Sequence, residues 1–183
     1  MKSLRILFLV VIVLTSAELT IAADPGDDTA TCAISVTVNQ IIEWADNFAG
    51  ISLAQINAQG DTPSDNETQT LYINCNVEIS ADNTATAQLS SATDTLVTEY
   101  QLADDGDGSA TTGASGAAEG ASGIASWTGY DTFLSTALAV THVDTDGAVD
   151  ITLSVRASNS AGEVADAGAY SATQTLTASW TSD

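Results

Sequence analysis

The chain has almost no positive charge. Lys2, Arg5 and Arg156 are its only bases, against 24 Asp and Glu, and the formal net charge is −21. Such a chain cannot neutralise a nucleic-acid backbone or an anionic membrane surface, nor clamp a nucleotide phosphate with Lys or Arg. Histidine is down to His142, which excludes a two-histidine metal site and any elaborate histidine relay. Cysteine is down to Cys32 and Cys75, too few for a four-thiolate zinc site. Large aliphatic residues are also sparse. Low hydrophobicity with high net charge is the composition of disordered chains. The apolar residues here are not scattered, however: they recur at every second position over several stretches, the pattern of half-buried strands.

The one long apolar run is Ile6–Leu14. It follows Lys2 and Arg5 and precedes the small pair Ala22-Ala23. Basic head, apolar middle and small-residue exit read as a secretory signal peptide over residues 1–23. The run is too short for a permanent membrane span, so no membrane insertion is expected once the signal is removed. Cleavage after Ala23 leaves 160 residues with 23 acids against Arg156 alone, a net charge of −22. An exported chain meets oxidising conditions, so the expectation for Cys32 and Cys75 is one disulfide. It would close a loop of 44 residues, worth about 4 kcal/mol in the chain-entropy account. The localisation expected is secreted, at the cell surface.

Residues 24–31 are a polar, acidic lead. From Cys32 the strand pattern begins, with Ile34, Val36 and Val38 on one face and Ser35, Thr37 and Asn39 on the other. Further strands are expected at 51–56, 71–79, 84–89, 96–102, 133–143, 149–155 and 170–180. Residues 46–68 otherwise read as loop, and residues 103–126, built of Asp, Gly, Ala, Ser and Thr, as a long low-complexity loop. No helix is indicated. Seven to eight strands separated by turns predict an all-β antiparallel sandwich spanning residues 32–183 as one domain, with a barrel as the alternative. Trp44 and Trp180 are expected in its core.

Candidate chemistry is thin, and no enzymatic activity is expected. His142 has no nucleophile motif beside it. Asp104, Asp105 and Asp107 form one acidic turn and Asp144 and Asp146 another, ahead of Gly147. Calcium needs several converging oxygens. With Gly147 in the glycine slot of a helix-flanked calcium loop, the first and last ligand positions fall on His142 and Leu153, so the template fails. The prevailing reading is solvated hairpin turns, with no cofactor, and calcium at these aspartates is the alternative. Trp127 and Tyr130 are candidates for stacking on a sugar ring. Asn66-Glu67-Thr68 is a glycosylation sequon, expected in a loop.

The stretch around Cys75, the line of Leu96, Tyr100 and Leu102, then Trp127, and the closing Gly168, Tyr170, Leu176 and Trp180 resemble the spore coat protein U-like domain shared with archaic chaperone–usher pilins. The resemblance covers residues 32–180. It implies a secreted immunoglobulin-like subunit with one disulfide, which polymerises by donor-strand exchange, with a periplasmic chaperone and an usher as partners. In that family the donor lies before the first cysteine. Here residues 24–31 have no apolar alternation, so either Ile34, Val36 and Val38 form the donor face or the sandwich is complete and does not exchange strands. The leading expectation is a structural subunit of an extracellular fibre, pilus or coat. The alternative is a monomeric secreted module that binds carbohydrate or calcium.

Overall fold

A computed structural model describes residues 29–104, 123–142 and 147–182. The expected signal peptide, residues 24–28 of the acidic lead and residues 105–122 of the expected loop lie outside them. Two compact units divide the chain, residues 1–37 and residues 38–183.

The second unit is a β-sandwich of eight strands. They are β1 (Ile42–Trp44), β2 (Ser64–Ile73), β3 (Asn76–Ala81), β4 (Val97–Asp104), β5 (Gly123–Gly129), β6 (Leu138–Val140), β7 (Ala148–Ser158) and β8 (Leu176–Ser182). One sheet has five strands in the order β1-β2-β7-β4-β5, the other three in the order β6-β3-β8. Every pairing is antiparallel. Period-two patterning explains the larger sheet. Along β7, Val149, Ile151, Leu153, Val155 and Ala157 are buried, while Asp150, Thr152, Ser154 and Arg156 alternate outward. Facing the same interior are Leu71 and Ile73 of β2, Tyr100 and Leu102 of β4, and Val77 and Ile79 of β3.

The stretch expected as one strand over 71–79 is two. β2 ends at Ile73, the chain turns at Asn74-Cys75, and β3 joins the other sheet. All the apolar residues on either side of this corner stay buried because both strands present an inner face to one core. Alternation reports which face is apolar and is blind to which sheet the strand belongs to.

Other expectations also change. β2 begins at Ser64, inside the expected loop 46–68, because its polar residues form a regular ladder with β7, from Ser64 opposite Arg156 to Tyr72 opposite Ala148. β5 occupies Gly123–Gly129, at the end of the expected loop 103–126. Residues 51–56 lie in no strand, although Ile51, Leu53 and Ile56 are half-buried. The 84–89 stretch holds a single 3-10 turn at Ala85–Ala87. The 133–143 strand shrinks to β6. The turn before it is closed by Gly129 O, which accepts from Thr132 N and Phe133 N at 3.0 and 2.9 Å. Phe133 is thereby fully buried, its ring centroid 5.3 Å from that of Tyr100.

Two buried polar groups are paired, as burial requires. The Tyr100 hydroxyl donates to Ala87 O at 2.7 Å. The Thr98 hydroxyl accepts from Leu89 N at 2.9 Å and donates to Leu96 O at 3.1 Å.

Candidate functional site

Residues 32–38 lie in no sheet. Ile34, Val36 and Val38 are 91, 87 and 69 % exposed. No charged residue falls between Thr29 and Ile42, in a chain of net charge −21. Three β-branched residues at every second position form a strand-competent edge with an apolar face, left in water. This arm joins the sandwich at its root. Asn74 Nδ2 donates to Asn39 O at 2.9 Å, and Asn74 Oδ1 accepts from Ile41 N at 2.7 Å.

The expected Cys32–Cys75 disulfide would join one residue of each unit. Cys32 is exposed, whereas Cys75 is buried with its sulfur 3.9 Å from Ile41 O.

β8 is an edge strand. It pairs with β3, from Ala81 opposite Leu176 to Asn76 opposite Ser182, and with no other strand among the described residues. Leu176, Ala178 and Trp180 lie opposite Ala81, Ile79 and Val77, on the inner side. Trp180, expected in the core, is nevertheless 52 % exposed. It stands opposite Val77, which is fully buried. The line continues upstream, where Thr173 N donates to Thr86 O and Ser171 exchanges hydrogen bonds with Ser90.

Tyr170, just upstream, lines a groove of about 960 Å³ together with Ile51, Leu53, Leu89, Leu96 and Ala157. Asp166 is the one charged residue among its described lining. One end is tied by Asn159, whose Nδ2 donates to Gln59 O at 3.3 Å while Oδ1 accepts from Ala165 N at 3.0 Å. Nothing in the sequence marked Ile51, Leu53 and Ile56 as a groove wall rather than a strand. Only their half-burial without a ladder partner distinguishes the two.

The other candidate residues have structural employment. Trp127 carries the Arg156 guanidinium over its ring at 4.8 Å, and Arg156 Nε donates to Glu99 Oε2 at 2.7 Å. One face of that indole is therefore covered. Tyr130 packs against the core. Gly147 lies so close to β2 that a Cβ there would stand 2.5 Å from Ile73 O, and its own carbonyl accepts from Ile73 N at 2.8 Å. That close approach accounts for the glycine after the second acidic turn. Asp105, Asp107, Asp144 and Asp146 lie outside the described residues. Asp104 ends β4, opposite Ile151. Among the described residues no three His, Cys, Asp or Glu side chains are grouped to hold a metal. Asn66 is exposed on β2 opposite Ser154, on a strand rather than in a loop. The His142 main-chain N donates to Asn76 Oδ1 at 2.9 Å.

Two surface carboxylates serve as loop staples. Asp94 accepts from Asp166 N and Thr95 N at 2.9 and 2.7 Å, and these bonds, Asp166 first, hold its pKa below the ordinary 3.8. Asp82 is lowered likewise, chiefly by the Thr84 main-chain N–H and then by the Thr86 and Thr84 hydroxyls.

No family model, curated protein or solved structure matches this chain.

Proposed function

We propose that this chain is a secreted structural subunit of an extracellular fibre, pilus or coat, which self-associates by donating residues 32–38 of one copy to a second copy. The observation that carries the reading is the exposed, uncharged, alternating face of Ile34, Val36 and Val38. The acceptor is the edge that runs from Tyr170 into β8, which ends its sheet among the described residues, with the adjoining groove. Strand addition gains main-chain hydrogen bonds along such an edge and seats alternate side chains against apolar surface. Fully burying three such side chains contributes roughly 1.5–3 kcal/mol each. Donor and acceptor are different patches of the surface, so the contact is head-to-tail and propagates instead of closing as a dimer.

The reading agrees with the resemblance to spore coat U-like and archaic pilin subunits, and it takes over the expected export and the expected periplasmic chaperone and usher. A subunit with an exposed apolar arm needs such holding partners before assembly. The monomeric carbohydrate- or calcium-binding alternative has weaker support, since Arg156 covers one face of Trp127 and Tyr130 is a packing residue.

The test is negative-stain microscopy and sizing of the full chain beside the Val36→Asp variant. Filaments or high-mass species are expected from the native chain and monomers from the variant, with the same circular dichroism. A native chain that stays monomeric at all concentrations, or a variant that polymerises unimpaired, refutes strand donation through this face.

A further inference from the structure

We propose that Asn74 is the positioning residue for strand donation, the group that ends the pairing of β1 and fixes where the arm leaves its own subunit. The proposal rests on the strand-donation reading. Its basis is an irregular rung in the β1–β2 ladder. That ladder pairs Ile42 with Ile73, Glu43 with Tyr72 and Trp44 with Leu71. One step further, Ile41 faces Asn74. In a regular antiparallel rung, each main chain would donate to the other's carbonyl. Here half of the rung is main chain, with Asn74 N donating to Ile41 O at 3.3 Å. The other half is a side chain: Ile41 N donates to Asn74 Oδ1 at 2.7 Å in place of the Asn74 carbonyl. The same amide then donates through Nδ2 to Asn39 O at 2.9 Å.

This substitution has a geometric consequence. Asn74 stands at the corner where the chain leaves the five-stranded sheet and enters β3 of the other. Because its side chain supplies the acceptor, its main chain can turn the corner while Ile41 remains held. Asn39 is gripped, and the strand-competent residues before it are left outside any sheet. A short side chain with one acceptor and one donor is needed. Alanine has neither, aspartate keeps the acceptor without the donor, and glutamine carries the amide one methylene too far. Without the clamp the root frays, and the arm must be ordered again each time it docks, an entropic cost to donation.

The role predicts a defect in donating with none in accepting, which a general loss of stability would not produce. As acceptor, the full-length Val36→Asp chain, with or without Asn74→Ala, is titrated with a fluorescent peptide copying residues 30–40. The two are expected to bind alike. As donor, full-length Asn74→Ala is mixed with the Val36→Asp chain and heterodimers are counted by native mass spectrometry. Their yield is expected to fall about tenfold, the factor for losing a side chain that makes two hydrogen bonds. Asn74→Asp is expected to fall between Asn74→Ala and the native residue. An undiminished heterodimer yield overturns the role of Asn74, and so does weakened peptide binding by the Asn74→Ala acceptor. If the peptide binds neither acceptor and the native donor forms no heterodimer, strand donation itself fails and the proposal falls with it.

Discussion

Replacing Tyr100 with phenylalanine should destabilise the sandwich at neutral pH and protect it in alkali. The ring is 3 % exposed, and its hydroxyl donates to Ala87 O at 2.7 Å. Losing that bond in Tyr100→Phe leaves the carbonyl without its donor, at about 1 kcal/mol. Burial also pushes the phenol from its ordinary 10.0 up to about 12. The unfolded chain therefore ionises two units earlier than the folded one. The contribution of the neutral phenol is complete below pH 10 and is lost as the pH rises from there toward the folded value. At about pH 11 the unfolded native chain gains roughly 1.4 kcal/mol that Tyr100→Phe does not. The two effects have opposite sign and similar size, so the stability curves should cross near about pH 11. Urea unfolding followed by tryptophan fluorescence, at neutral pH and at the alkaline end, measures both. If native chain and Tyr100→Phe keep the same separation at both pH values, the phenol is not held neutral by burial and the reasoning is wrong.

Phe133→Ala should cost about 3–5 kcal/mol, because the ring is fully buried and stacked beside Tyr100; a loss under about 1 kcal/mol in urea melts would show that the turn relaxes to fill the space. Asp94→Ala should lower the melting temperature more at pH 6 than at pH 3. The native carboxylate is held below 3.8, so its contribution is present above that value and lost as the pH falls through the folded pKa; an equal deficit at both pH values counts against the staple. Assembly should quicken with salt, since chains of net charge −21 repel. Light scattering between about 0.01 M and 1 M salt, where the screening length drops from about 30 to 3 Å, reads this directly. Slower assembly in high salt would mean that an ionic contact holds the subunits together.

The sandwich was legible because its central strands are nearly ideal alternators. Val149 to Val155 against Asp150 to Arg156 permits one orientation only, and the same holds for Tyr100 and Leu102 against Glu99. The errors share a cause. Alternation is a local signal, while pairing is decided by what lies alongside. Ser64–Gln69 has little apolar content and is strand because β7 supplies its ladder. Ile51–Ile56 has the apolar content and is not strand because no ladder partner lies beside it. Trp180 keeps the inward phase it was assigned and is still half in water, because burial depends on the neighbouring strand as well as on phase. Asn74 gave no sequence signal at all. An asparagine between two strands is ordinary turn chemistry, and its part in the ladder is visible only once Ile41 and Asn39 are seen on its amide.

The exposed arm is harder to dismiss in this chain than it would be in a richer one. Leu, Ile, Val and Phe number 29 among residues 24–183, and 14 of them are buried among the described residues. Leaving Ile34, Val36 and Val38 in water gives up a sizeable part of that limited supply. A solvated lead has no use for such residues, and the polar residues that dominate this chain would serve it better. Their spacing matches the face of a strand, and the run around them is free of charge although acids are common elsewhere in the chain. Lack of charge disfavours an ionic partner, and alternation disfavours a helical one. What remains is an apolar sheet edge with little charge of its own. The line from Tyr170 into β8, with its half-covered tryptophan and its groove bearing a single described carboxylate, is such an edge. Both halves of the proposed contact are carried by one chain, which is why the proposal takes a second copy as the partner.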